Sequence, residues 1–177
     1  MKRVVLSETQ KGWLFETDEH KWPAYFNPTV KDGKVTLYHG LSNDSLDYVL
    51  SEEAFVARVC SEGVCGVWFS IADKNDYPSG YQCLVSIDVP VEEIGRGYSK
   101  PFNIMNTTHV FSENDVPIDK YNFKVLKIGG VMLDDEILEH WKILLENEKG
   151  VEFHKAIFDG ICGGYPSICQ YVWGLIL

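Results

Sequence analysis

The sequence predicts an α+β fold, in which a β-rich first part is followed by helical segments. Short runs of β-branched and aromatic residues, bounded by glycine or proline, recur between residues 34 and 128. A helical spacing of apolar residues follows over 134–148. The chain has 177 residues, 45% of them hydrophobic, which is enough for one core without disulfides or a metal. No repeat or linker divides it, so we predict a single domain over residues 1–177.

The first predicted elements are an irregular lobe, a strand and a helical region. Residues 1–34 mix aromatic residues with prolines without a clear period, which predicts a partly stranded N-terminal lobe. Residues 34–39 alternate and follow an Asp-Gly turn signal, which predicts a strand. Residues 45–60 have approximately helical spacing, and Ser-Glu-Glu at 51–53 is a possible start of a second helix.

The rest of the chain is predicted to form strands and loops before one clear helix. Strands are predicted by β-rich runs at 66–70, 81–89, 109–111 and 121–128, with a turn at 116–118. The polar residues 72–80 are either a short helix or a loop, and 95–108 are a loop. Residues 134–148 predict an amphipathic helix with an acidic start that suits the helix dipole. Residues 151–177 have no clear period.

Charge and cysteine content argue against several classes of protein. With 16 basic against 26 acidic residues the net charge is -10, so tight nucleic-acid binding, which needs clustered basic residues, is not expected. No apolar run reaches the roughly 20 residues that a membrane-spanning helix needs, and the first residues do not resemble a secretory signal. The five cysteines are odd in number and lack zinc-ribbon spacing. We therefore expect reduced thiols and a soluble, cytoplasmic protein.

A histidine followed by a glycine ends the first predicted strand. The sequence Leu-Tyr-His-Gly occupies residues 37–40. Because glycine has no side chain, a flat ligand is able to approach the main chain of Gly40 while the His39 side chain projects beside it. Taken alone, the motif is more typical of a structural histidine before a turn.

Two later motifs appear in an order that a known superfamily shares. Gly-Val-Trp-Phe-Ser at 66–70 precedes two tyrosines, and Phe-Ser-Glu at 111–113 leads towards the last predicted strands. Together with the His-Gly motif, these residues resemble the diphtheria-toxin and poly(ADP-ribose) polymerase branch of the ADP-ribosyltransferase superfamily. The resemblance implies a split β-sheet core that clasps NAD through a His, Tyr and Glu constellation. It covers residues 35–128 as the NAD-binding core and leaves 129–177 as a C-terminal helical extension.

Carried over by position, the resemblance implies roles in NAD binding. His39 resembles the histidine that bonds the adenine-side ribose, and Gly40 resembles the glycine whose main chain holds the nicotinamide amide. Trp68 stands where the family usually has a tyrosine, so an aromatic ring is kept and a hydroxyl is lost. Tyr77 or Tyr81 would be the ring stacked on nicotinamide.

The resemblance also implies a catalytic pair, Glu113 with His39. Glu113 resembles the catalytic glutamate, because a carboxylate on the ribose stabilises the oxocarbenium-like state that forms when nicotinamide leaves. Ser70 resembles the serine after an aromatic residue in the arginine-directed branch, although His39 in the first motif argues against that branch. The implied activity is NAD-dependent mono-ADP-ribosyl transfer to a protein or a small molecule.

The sequence predicts no metal site, and NAD is the one expected cofactor. Zinc ligation by His39, Cys60 and Cys65 would need a fourth ligand at regular spacing, and the sequence has none. The glycine-rich residues 160–164 lack the Lys-Ser/Thr ending of a phosphate-binding loop and predict a turn. The expected partners are NAD and an acceptor of unknown identity, with neither nucleic acid nor a membrane.

The same residues have simpler interpretations. The Trp-Phe pair at 68–69 is typical of a core strand, Tyr77 and Tyr81 would then cap the core, and Glu113 would lie in a solvated turn. One alternative is therefore a non-catalytic binding protein with a degenerate site on a β-rich core. Another is an NAD-using RNA 2′-phosphotransferase, which the charge of -10 disfavours.

Overall fold

The computed structural model describes residues 22–59, 65–71, 81–96, 100–147 and 164–176. These residues form a mixed α+β fold with one large sheet and three α-helices, which confirms the predicted class. The strands are β1 (Val30–Lys31), β2 (Lys34–Leu41), β3 (Ala54–Phe55), β4 (Arg58–Val59), β5 (Cys65–Ser70), β6 (Cys83–Pro90), β7 (Ile94–Gly95), β8 (Phe102–Ile104), β9 (His109–Ser112), β10 (Val116–Pro117), β11 (Lys124–Ile128) and β12 (Val131–Met132). The helices are α1 (Asn43–Glu52), α2 (Asp135–Glu146) and α3 (Pro166–Ile176), with a 3-10 turn at Val91–Glu93.

Ten of the described strands form one sheet in the order β12-β11-β6-β2-β5-β9-β8-β7, with β1 added to β2 and β4 to β5. β3 and β10 form a separate antiparallel pair. β2 lies near the middle of the sheet and pairs with β6 along its whole length. On its other side, β2 is paired with β5 at one position among the described residues, where Tyr38 lies opposite Ser70. The sheet therefore opens where β2 continues beyond Tyr38.

One hydrophobic core covers the side of the sheet that carries Leu37 and His39, which we call the core face. Leu37 is in register with Ile87 of β6, and both side chains are fully buried. Helices α1 and α3 pack against each other and belong to the same core through Leu46 and Val172. Since side chains alternate along a strand, the neighbours of these residues on β2 point to the opposite face of the sheet.

Several predicted elements are confirmed. The strand predicted at 34–39 is β2, and the Asp32-Gly33 turn before it has two positive φ angles, 52° and 71°. These angles suit a tight hairpin between β1 and β2. The helix predicted at 134–148 is α2, and the carboxylate of Asp134 accepts a hydrogen bond from the main-chain N–H of Ile137 at 2.8 Å. This cap explains why the helix begins where the acidic run begins.

Other predictions are wrong. No second helix begins at 51–53, because Glu53 adopts a left-handed conformation with φ 55° and ends α1. The chain continues as β3, which pairs with β10 where a turn was predicted at 116–118. The loop predicted at 95–108 contains β8, because Phe102 and Ile104 are buried in the core.

The C-terminal part of the chain contains the helix α3, whose bounds the sequence pattern did not predict. Its buried side chains are Ile168, Val172 and Ile176. The carboxylate of Asp47 on α1 accepts hydrogen bonds from the N–H groups of Ser167 and Ile168, at 2.9 and 3.0 Å. No helix within the described ranges combines the length and apolar character needed to cross a membrane. Residues 1–21, 72–80 and 151–163, on which parts of the predictions fall, lie outside the described residues.

Candidate functional site

A cavity of about 440 Å³ lies beside His39, where β2 and β5 separate. We call it the His39 cavity. Its walls come from the end of β2, one face of α1, the β3 to β4 segment and the start of β5. The volume falls within the range of small-molecule sites in proteins. The opening of the sheet thus creates a site at the position of the first sequence motif.

His39 is fixed in orientation at the wall of this cavity. Its Nδ1–H donates to the main-chain carbonyl of Trp68 at 2.5 Å. The ring packs against the rings of Phe55 and Phe69, each with centroids 5.5 Å away. This hydrogen bond holds the two strands together across the opening and fixes which ring nitrogen carries the proton.

The imidazole of His39 is held in its neutral form. Burial lowers its pKa below the ordinary value of 6.5, and the bond to the Trp68 carbonyl opposes this only in part. Since Nδ1 carries the hydrogen, Nε2 is left with a lone pair. No described residue forms a hydrogen bond with Nε2. At near-neutral pH, His39 therefore presents a neutral hydrogen-bond acceptor, Nε2, at the wall of the cavity.

Helix α1 supplies polar groups to the cavity along one face. Asp44, Ser45, Tyr48 and Val49 line it, at the spacing that places side chains on one side of a helix. The helix begins at this site because Ser42 caps it, its hydroxyl accepting a hydrogen bond from the N–H of Ser45 at 3.2 Å. The cap fixes the direction in which the first turn of α1 presents Asp44 and Ser45.

Arg58 places a positive charge on the same cavity. Its guanidinium lies 4.5 Å from the centre of the Tyr48 ring, in a cation–π contact. Both residues line the cavity, and Arg58 is exposed to solvent. A planar cation held against an aromatic ring at a cavity wall is suited to binding phosphate or carboxylate oxygens.

Gly66 and Trp68 of β5 line the cavity, and neither places a side chain in it. Phe69 points to the core face beside His39, so the Trp68 ring points the other way and packs on Phe111 with centroids 5.0 Å apart. At Gly66, an added Cβ would lie 2.2 Å from the Phe111 ring and 2.5 Å from the carbonyl oxygen of Ser112. Only glycine fits there.

Of the residues predicted to hold a cofactor, His39 and Trp68 line the cavity, but the Trp68 ring packs on Phe111 on the opposite face and does not form the predicted aromatic wall. Gly40 is the next residue of β2 and lies opposite Leu84 of β6. Ser70 is buried between Tyr38 and His109 on the opposite face of the sheet. The described residues that line the cavity do not include Gly40 or Ser70.

Of the other predicted residues, Tyr81 is described by the structure and does not line the cavity. Tyr81 is 44% exposed, and Tyr77 lies outside the described residues. Glu113 is exposed and directly follows β9, which is separated from β2 by β5. Two strand spacings amount to about 10 Å across the sheet. Glu113 is not among the described residues that line the cavity.

Sequence reasoning missed Asp44, Tyr48, Phe55 and Arg58. The spacing of four between Asp44 and Tyr48 is a visible helical signal, but a polar helix face is usually solvated. The position of Arg58 depends on the end of α1 at Glu53, which no local pattern marks. Among the described residues, no group of three or more His, Cys, Asp or Glu side chains is arranged to hold a metal ion.

The assembled groups suit a polyhydroxylated anion: a neutral acceptor on His39, a carboxylate on α1, a guanidinium on β4 and aromatic surfaces between them. A hydroxyl group is able to donate to Nε2, while Arg58 neutralises negative charge. Comparison with known proteins found no family model, no curated protein and no solved structure that matches this chain.

Proposed function

We propose that this chain binds NAD in the His39 cavity as a protein similar to the ADP-ribosyltransferases. The observation that carries the proposal is the neutral His39, whose Nδ1 is bonded to Trp68 and whose Nε2 has no partner among the described residues. An acceptor fixed in this way is suited to a ribose hydroxyl. The order of the strands supports the proposal, because β2 with His39, β5 with Trp68 and β9 before Glu113 are neighbours in the sheet.

The described residues would divide the binding of NAD between them. His39 would accept a hydrogen bond from a ribose hydroxyl, and Arg58 would lie against the pyrophosphate. The exposed Tyr48 ring would offer an apolar surface to one of the bases. In this arrangement, NAD lies along the opening between β2 and β5.

The proposed reaction is displacement at the ribose carbon that carries nicotinamide. The bond from this carbon to the nicotinamide nitrogen breaks, and its electron pair leaves with neutral nicotinamide. A nucleophilic atom of the acceptor forms the new bond and releases its proton to solvent. A carboxylate near the ribose would stabilise the positive charge that develops, and this is the role proposed for Glu113.

A second candidate function is NAD binding without turnover. It is favoured by the position of Glu113, which lies beyond the end of β9 and not among the described lining residues of the cavity. In that case the protein would be a binding module that retains the histidine and lacks the catalytic carboxylate. The two candidates share NAD binding and differ in nicotinamide release.

Calorimetric titration with NAD, followed by chromatographic measurement of nicotinamide release, tests the proposal. We expect the wild-type protein to bind NAD and the His39→Ala variant to bind it at least about tenfold more weakly, because a hydrogen bond within the site is lost. His109→Ala removes a histidine from the opposite face of the sheet and is the matched control. Absence of NAD binding by the wild-type protein would refute the proposal.

Glu113→Gln separates the two candidates. The protein is a transferase if the wild type releases nicotinamide and the variant binds NAD equally well but does not release it. Binding without release by the wild-type protein identifies a binding module.

A further inference from the structure

A second hollow lies on the face of the sheet opposite to His39. Thr36 and Tyr38 on β2 line it, and they alternate with Leu37 and His39 on the core face. Their register partners on β6, Asp88 and Ser86, line it as well. The hollow has a volume of about 830 Å³.

Three lysines surround this hollow: Lys31, Lys34 and Lys124. We call it the lysine hollow. All three are exposed, and none forms an ion pair with a described residue. Unpaired lysines gathered in one place are unexpected in a chain with 26 acidic and 16 basic residues.

Two of these lysines oppose each other directly. Lys31 and Lys34 are register partners in the hairpin of β1 and β2. Like charges at directly opposite positions of an antiparallel pair destabilise it. A bound anion would relieve this repulsion, whereas no described carboxylate is within ion-pair distance of either lysine.

Two acidic side chains also line the hollow: Asp32, in the turn between Lys31 and Lys34, and Asp88, on the floor that β2 and β6 form. The carboxylate of Asp88 accepts hydrogen bonds from the Thr36 hydroxyl at 2.8 Å and from the Asn122 amide at 2.7 Å. No ion pair joins either carboxylate to the three lysines, so three positive charges and two negative charges line the hollow separately.

A hydroxyl group on the floor has no hydrogen-bond partner among the described residues. Ser86 is 6% exposed, yet its hydroxyl forms no hydrogen bond with them. Ser86 is in register with Lys124, which places an ammonium group on the neighbouring strand. The Ser86 hydroxyl and the Lys124 ammonium group both line the hollow, so both are placed to donate to one ligand oxygen.

We infer that the lysine hollow is a second binding site, for a small molecule that carries a phosphate or diphosphate group. Lysines recognise phosphate as concentrated positive charges, and a group with two or more negative charges matches three ammonium groups better than a single carboxylate does. The hydroxyl of Ser86 and the oriented Asp88 would bind the polar body of such a molecule. This inference is independent of NAD binding in the His39 cavity.

Titration of the full chain with inorganic pyrophosphate, followed by amide NMR shifts, tests the inference. We expect shifts on β1, β2 and β11, and at least tenfold weaker binding in the double variant Lys34→Gln, Lys124→Gln. Lys142→Gln on α2 is the matched control and should bind as the wild type does. The double variant should unfold at no lower temperature than the wild type, because the Lys31–Lys34 repulsion is removed.

The His39 cavity also contains a cation, so Arg58→Gln distinguishes the two sites. Pyrophosphate binding that survives Arg58→Gln and is lost with the two lysines supports the lysine hollow. Loss of binding in Arg58→Gln with retention in the double lysine variant would overturn the inference, as would absence of binding to the wild-type protein.

Discussion

At the scale of single residues, the environment of His39 makes a prediction about pH. Its pKa in the folded protein is lowered by burial below 6.5, the ordinary value that the unfolded chain retains. As the pH falls through 6.5, the unfolded chain takes up a proton that the folded chain does not. The free energy of unfolding should therefore decrease, by at most about 1.4 kcal/mol per pH unit from this group.

Chemical denaturation between pH 8 and pH 5 measures this effect when the wild type is compared with His39→Asn. The asparagine amide is able to donate to the Trp68 carbonyl but does not titrate. The wild type should lose more stability than the variant as the pH falls, with the difference appearing below pH 6.5. Parallel curves for the two proteins would show that His39 has an ordinary pKa in the folded protein.

Gly66 carries a second prediction at this scale. A methyl group there would collide with the Phe111 ring and with the carbonyl of Ser112, so Gly66→Ala should lower the free energy of unfolding by about 2 kcal/mol or more. Gly174 in α3 has open space around an added Cβ, and Gly174→Ala should raise it by up to about 1 kcal/mol. Urea denaturation of both variants checks the contrast, and equal effects of the two substitutions would contradict it.

At the scale of elements, α3 depends on a cap that another helix provides. Asp47 on α1 accepts hydrogen bonds from the N–H groups of Ser167 and Ile168. Asp47→Ala should therefore cost about 1 kcal/mol of unfolding free energy, within the range of 0.5–2 kcal/mol for helix caps. The exposed Glu52→Ala on the same helix is the control, and denaturant midpoints measure both. A midpoint for Asp47→Ala equal to that of the control would show that this cap contributes nothing.

The same cap shows why some elements could be predicted from the sequence and others could not. β2 has an alternating pattern and a turn signal of its own, and α2 has its own cap at Asp134, so local residues define both. The cap of α3 comes from Asp47, about 120 residues earlier in the chain. β8 exists because Phe102 and Ile104 meet the core, which is a tertiary effect that no short window contains.

At the scale of the whole molecule, the large sheet separates the His39 cavity from the lysine hollow. Alternation along β2 sends His39 to the core face and Thr36 and Tyr38 to the opposite face, so one strand contributes to both cavities. The position of His39 on β2 could be predicted from the sequence, because the alternation over residues 34–39 is local information. Arg58 and the position of Glu113 relative to the cavity depend on strand order, which the motifs do not specify.

In the proposed function, a neutral His39 offers its Nε2 lone pair to NAD. A long-range proton–nitrogen NMR spectrum of the histidine rings at pH 7, recorded with and without NAD, measures this directly. We predict for His39 a neutral ring with the proton on Nδ1, and a change in the Nε2 resonance when NAD is added. A charged ring, a proton on Nε2, or a spectrum unchanged by saturating NAD would contradict this role of His39.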